Sequence, residues 1–129
     1  MGESVSRGGP GDVRAERAVL GACLIDPDAI NHVADVARIA VSDFAPRKNG
    51  APSRAQRVYA AMLALHDRGV VVDYLTVCGE LQRQGALNAV GHWYLTSLIN
   101  WCPTSLHVAA YAQRMTEARQ PVVKGAVRV

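Results

Sequence analysis

Three observations predict an all-α fold. Apolar residues recur at three- and four-residue intervals in one segment after another, as the buried face of a helix requires. These segments are bounded by residues that start or stop helices, with Asp, Ser or Thr in front and Gly or Pro behind. Aromatic residues make up 5% of the chain against 50% hydrophobic residues, which suits close helix packing better than a β-sandwich.

The segment around which the others are arranged is residues 15–27. Asp12 caps it from outside, Glu16 lies in its first turn where a negative charge suits the helix dipole, and Ala15, Val19, Cys23 and Leu24 fall at helical spacing. A buried helix is expected. Gly21 lowers helix propensity by about 1 kcal/mol relative to Ala, so a glycine here indicates that another backbone passes close by. Asp26 and Pro27 end this helix and open the next, because the residue before a proline resists the α region and Asp followed by Pro is a favoured helix start. Residues 27–37 then place Ile30, Val33, Ala34 and Ala37 on one face of a short helix. Phe44, the single phenylalanine of the chain, is expected to pin the next connection to the core.

Pro46, Asn49, Gly50 and Pro52 mark residues 45–53 as a loop, made basic by Arg47 and Lys48. Ser53 caps the most regular amphipathic helix, residues 54–68, with Ala55, Val58, Tyr59, Met62 and Leu65 on one side and Gly69 as its stop. Val70, Val71 and Val72 are too few for a helix and read as an extended crossing of the core. Asp73 or Thr76 opens a helix to about Gln84, with Val77, Cys78 and Leu81 inward. Residues 88–91 read as a turn, and residues 92–100 as a helix presenting Tyr94, Leu95, Leu98 and Ile99. Cys102, Pro103 and Thr104 break it, and Thr104 or Ser105 caps a last helix through Ala109, Ala112, Met115 and Ala118, ended by Pro121. The plan is a disordered tail over 1–11, a globular helical domain over 12–103, the last helix over 104–120 and a tail over 121–129.

A length of 129 residues fits one domain with a real core. The net charge of +3 and a pI near 9.0 do not by themselves make a nucleic-acid surface. Cys23, Cys78 and Cys102 cannot pair completely, and they read as reduced core residues of a cytoplasmic protein. No run approaches the roughly 18 apolar residues of a membrane span, and residues 1–11 hold no apolar secretion signal, so a soluble protein with no membrane partner is expected. The search for chemistry predicts no catalytic residues, no metal and no cofactor in this chain. Gly8, Gly9, Pro10, Gly11 and Asp12 lack the lysine of a phosphate-binding loop. His32, His66, His92 and His107 are dispersed, and Cys102 with His107 has no second pair to complete a zinc site. Asp26 and Asp28 are accounted for by helix capping.

Arg47, Lys48, Arg54 and Arg57 stand apart. A loop feeding a helix gathers these four cations on one edge, where they would attract phosphate or an acidic partner, although a solvated loop explains them as well. A small stand-alone helical DNA-binding protein using this edge is one reading of the function.

A resemblance emerges from the order of the pieces. Ala15-Glu16, Val19-Leu20-Gly21-Ala22, Leu24 and Asp26-Pro27, then Ser42-Asp43-Phe44 and Arg57-Val58-Tyr59 with Ala61, Met62 and Leu65, resemble the N-terminal domain of bacterial replicative DNA helicases of the DnaB type. Val72-Asp73, Thr76-Val77, Leu81, Gly85, Leu87, Gly91, Tyr94-Leu95, Pro103-Thr104, Ala109 and Tyr111-Ala112 follow the family pattern in the same order. The match spans residues 12–119. Gln56 stands where the family usually has a histidine, His92 where a second glycine would follow Gly91, and Ala45 where an aromatic follows Phe44; residues 46–53 resemble an insertion.

The resemblance implies a compact six-helix bundle whose last helix, from Ser105, starts a helical hairpin. It implies the non-catalytic collar of a hexameric helicase, with ATP and Mg belonging to the motor of the full-length family protein. It further implies self-association as a dimer or ring of dimers, docking of primase and helicase loader, indirect or weak contact with DNA, and a place in the nucleoid-associated replication machinery. Leu106, Val108, Tyr111 and Met115 on the last helix are the expected protein contacts, with packing in the chain's own core as the other reading of them; a stand-alone DNA-binding or helicase-regulating adaptor is the alternative function.

Overall fold

The first ordered element is set by Asp12, whose Oδ1 accepts a hydrogen bond from the Ala15 N–H at 3.1 Å and so satisfies one of the amides that a helix start leaves open. Helix α1, Val13–Ile25, follows. The computed structural model describes residues 12–101 and 104–119; the two expected tails, Cys102 and Pro103 lie outside the described residues. Among the described residues the fold is all-helical. Helix α1 buries every residue from 18 to 24 as well as Ala15 and Glu16, because α5, α6 and α2 pack around it. It is the core helix that its sequence predicts.

Residues 27–37 depart from the expected α-helix. Asn31–Val36 is wound as a wider π-helix, with the Ala37 N–H donating to the His32 carbonyl at 2.8 Å. The inward positions survive the change, since Ile30 and Val33 are buried. Val33 and Val36 are β-branched and Asn31 favours other backbone shapes, so α-propensity here is weak enough for packing to decide the winding. Arg38, at φ 55°, ends it. A short 3-10 turn, Val41–Asp43, leads to Phe44, which is fully buried with its ring centroid 4.9 Å from that of Tyr59. Phe44 is the anchor expected.

Helix α2, Arg54–Asp67, begins with a reciprocal cap in which the Gln56 N–H donates to Ser53 Oγ at 3.1 Å and the Ser53 N–H donates to Gln56 Oε1 at 3.0 Å. Helix α3, Tyr74–Arg83, repeats the device with Asp73 and Thr76. Both helices end alike. Gly69 and Gly85 take φ of +72° and +73°, and the residue after each donates back five positions, Val70 to the Leu65 carbonyl at 2.9 Å and Ala86 to the Leu81 carbonyl at 2.8 Å. Of the valine run, Val72 enters the core while Val70 and Val71 stay exposed, so the expected crossing is one residue deep.

The expected turn before Gly91 is a one-turn helix, α4, Leu87–Val90. Helix α5, His92–Trp101, buries Leu95 and Leu98. Helix α6, Val108–Arg119, starts later than predicted. Ser105 spends its hydroxyl on Asp26 Oδ2 at 2.9 Å, and the Val108 N–H closes a turn to the Ser105 carbonyl at 3.1 Å. Helix α6 lies against α1, with Ala112 and Met115 buried. One face of it is part of the core, while Ala109, Ala110, Gln113, Arg114 and Glu117 are exposed.

Candidate protein-interaction surface and basic cleft

The four apolar residues expected to meet a partner are sorted differently by the fold. Leu106 is 83% exposed; Val108 and Tyr111 are half-buried against the core. Met115 is a correction. It is 2% exposed, because α6 turns the stripe that carries it and Ala112 onto α1, which leaves Met115 unavailable to a second molecule.

Other apolar groups are on the outside, and the helical stripes did not include them. Trp93 is 81% exposed and Trp101 44%; Trp93 lies off the Tyr94, Leu95, Leu98 and Ile99 face of α5, a signal readable from its spacing, whereas Trp101 falls three residues after Leu98 and seven after Tyr94, so its exposure has no such signal. Trp101 and Tyr111 share a cleft of about 290 Å³ with Arg14, Ala15 and Ala18, and the Arg17 guanidinium sits 5.6 Å from the centre of the Trp101 ring. A cation over an indole face holds that face in place while leaving its edge available.

The basic residues are brought together in part. Arg47, Arg54 and Arg57 line one cleft of about 500 Å³ with Pro52, Ser53 and Ala89. Lys48 is not among the lining residues, because the loop reverses there: the Gly50 N–H donates to the Arg47 carbonyl at 2.8 Å and the Arg47 N–H to the Ala51 carbonyl at 2.9 Å. The Arg54 guanidinium is seated 4.7 Å from the centre of the Tyr94 ring.

The burial of two carboxylates, Glu16 and Glu80, escaped the sequence reading. Glu80 is held by Arg83 at 2.8 Å, Arg68 at 2.9 Å and Gln84 at 2.7 Å, and the hydrogen bonds from Arg83, Arg68 and Gln84 lower its pKa to about 2. Glu16 accepts a hydrogen bond from the Ala45 N–H at 3.2 Å. Burial raises its pKa to about 7, against the lowering effect of that hydrogen bond. On α3, Tyr74 Oη lies 3.2 Å and Cys78 Sγ 3.8 Å from His92 Nδ1, and burial pushes the Cys78 thiol up. Among the described residues no group of three or more His, Cys, Asp or Glu side chains is placed to hold a metal ion.

Residues 9–117 match the family described as the DnaB-like helicase N-terminal domain. The chain belongs to that family. It is 37% identical over 109 residues to the replicative DNA helicase DnaC of Bacillus subtilis, covering 84% of this chain and 22% of the relative. It is 38% identical over 116 residues to the replicative DNA helicase DnaB of Mycobacterium leprae, covering 89% of this chain and 18% of the relative. The chain therefore spans about a fifth of the length of these DnaB-like relatives. The crystal structure of the N-terminal domain of DnaB helicase from Mycobacterium tuberculosis superposes with a TM-score of 0.74 at 35% identity, over 93% of this chain and 80% of that one. No helix of the described residues is long and apolar enough to cross a membrane.

Gln56 has a definite place. Its Nε2 donates to the Phe44 carbonyl at 2.8 Å and the Val41 carbonyl at 3.4 Å. One side chain thus closes the start of α2 and holds the Phe44 connection to it.

Proposed function

We propose that this chain is the non-catalytic assembly and docking domain of a replicative DNA helicase, acting through protein contact. The observation that carries the reading is the family match over residues 9–117, which takes in nearly all the described residues. In this reading duplex unwinding, ATP and Mg belong to a motor elsewhere in the full-length protein, and the domain meets primase and helicase loader in the cytoplasmic replication machinery. Its own role is self-association as a dimer or ring of dimers.

The surface assigned to a second copy is Leu106 with the Trp101 and Tyr111 cleft. An exposed Leu and two aromatics rimmed by Arg14 and Arg17 have the apolar-centre, polar-edge composition of a protein interface. Sedimentation velocity over a concentration series tests it. The expected result is a wild-type chain heavier than its 13.8 kDa monomer mass and a Leu106→Asp, Trp101→Asp double variant at monomer mass with an unchanged circular dichroism spectrum. A wild-type monomer at high concentration, or a double variant with the wild-type mass, would overturn this surface.

A further inference from the structure

Three arginines line one cleft, and no carboxylate is among the residues that line it. Arg54 and Arg57 are three residues apart on α2 and so lie on neighbouring turns of one face, and Arg47 comes from the turn that precedes the helix. Among the described residues, His66 pairs with Asp35, Arg68 and Arg83 pair with Glu80, and Arg114 pairs with Asp12. None of these pairs uses Arg47, Arg54 or Arg57. Like charges gathered around one concave space repel each other, and an anion bound there relieves that repulsion. We propose that this cleft is an oxyanion site that takes a pyrophosphate group, either free or as the tail of a nucleoside di- or triphosphate.

Recognition falls to the guanidinium groups, because the start of α2 is already closed by the reciprocal cap of Ser53 and Gln56. Guanidinium forks match phosphoryl oxygens in pairs, and each such bond is charge-assisted. Arg54 is held over the Tyr94 ring, so less rotamer freedom is lost when it binds. The volume of about 500 Å³ lies within the roughly 300–1,000 Å³ of small-ligand sites and leaves room beyond a phosphate. Charge separates the candidate ligands. Three arginines around one cavity call for several negative charges in one place, which a pyrophosphate supplies and a single carboxylate does not. A nucleic-acid strand needs a track of cations with open aromatic faces between them, whereas here the cations converge, Lys48 is not among the lining residues, and one face of Tyr94 is occupied by Arg54.

The test is isothermal titration of the intact 129-residue chain at low, fixed ionic strength with sodium pyrophosphate, ADP, a short oligothymidylate and an aspartate-rich peptide. Saturable one-to-one pyrophosphate binding is expected, weakened about tenfold or more by Arg47→Gln and by Arg57→Gln, as the loss of one charge-assisted hydrogen bond implies. Lys48→Gln should leave the affinity unchanged, which separates the cleft from the general charge of the loop. Tighter binding of ADP than of pyrophosphate assigns the nucleotide as the source, and equal or weaker binding assigns the free ion; both support the site. Three results would overturn it: no saturation at millimolar pyrophosphate, an equal loss in the Lys48→Gln chain, or an oligonucleotide or acidic peptide that binds more tightly than pyrophosphate. Arg47 is exposed on a loop, so its variant keeps the test valid if Arg57→Gln disturbs the fold.

Discussion

Glu16 near the start of α1 and Glu80 within α3 are shut off from solvent to the same extent, at 4% and 3% exposure, but different groups have replaced the water around them. Around Glu80 two guanidinium groups and an amide take up the carboxylate oxygens. Beside Glu16 a backbone N–H approaches at 3.2 Å, while Asp12 adds a like charge and Arg17 offsets it from a distance. The result is opposite charge preference at equal burial, with one acid pushed up to about 7 and the other down to about 2. Burial alone does not set an ionisation state; the partners that burial leaves do.

The difference has consequences for stability. The largest effect is expected where the Glu16 region is anchored, at Phe44 beside Ala45. Phe44→Ala removes a fully buried ring stacked on Tyr59 and should lower unfolding free energy by about 3–5 kcal/mol, read from urea denaturation. A loss under about 1 kcal/mol would mean that the connection is not part of the cooperative core.

Next comes pH, where the two acids should move in opposite directions. The raised pKa of Glu16 favours the folded chain fully below about 4.5, and that contribution is lost as pH rises through about 7. Glu16→Gln should therefore be more stable than wild type above pH 7, by on the order of 2 kcal/mol, with the gap closing towards pH 4.5. Glu80 contributes above about 4.5 and loses its contribution as pH falls towards about 2. Glu80→Gln should melt below wild type at neutral pH, with its deficit shrinking in acid. Parallel melting curves for both variants across that range would erase the distinction between the two sites.

The smallest of these effects falls on the clip between the regions. Gln56→Ala gives up half of the reciprocal cap and the bonds to the Phe44 and Val41 carbonyls, a loss of about 1–2 kcal/mol in thermal unfolding. Gln56→His, which keeps a ring N–H donor at this position, should recover part of it. A histidine variant no better than alanine would show that the amide geometry itself matters here.

What was readable in the sequence divides along local and non-local lines. Asp12, Ser53 and Asp73 as starts, and Gly69 and Gly85 as stops, were legible because each acts on backbone groups within a few residues. Arg54 and Arg57 were legible as neighbours for the same reason, and the cleft they share with Arg47 was anticipated as a basic edge. Glu16 was read as a dipole complement, which its position in the first turn supports; α1 was expected to be buried, but that the enclosure reaches Glu16 depends on how the other helices pack and has no local trace. Met115 was misplaced because a stripe at three-residue spacing looks the same whether it faces a partner or its own core. Lys48 was grouped with its neighbours because a reversal of the chain at Gly50 separates residues that are adjacent in sequence.

The pairing of α1 with α6 also fixes how the domain would respond to force. Ser105 is tied to Asp26 and Arg114 to Asp12, so the two helices run antiparallel, and the chain enters at Asp12 and leaves past Arg119 at one end of the pair. Tension between those points would act at one end of the seam rather than along it. It would break the Arg114 to Asp12 pair first, then draw out Met115 and Ala112 in turn, as a zipper opens, instead of loading every contact at once.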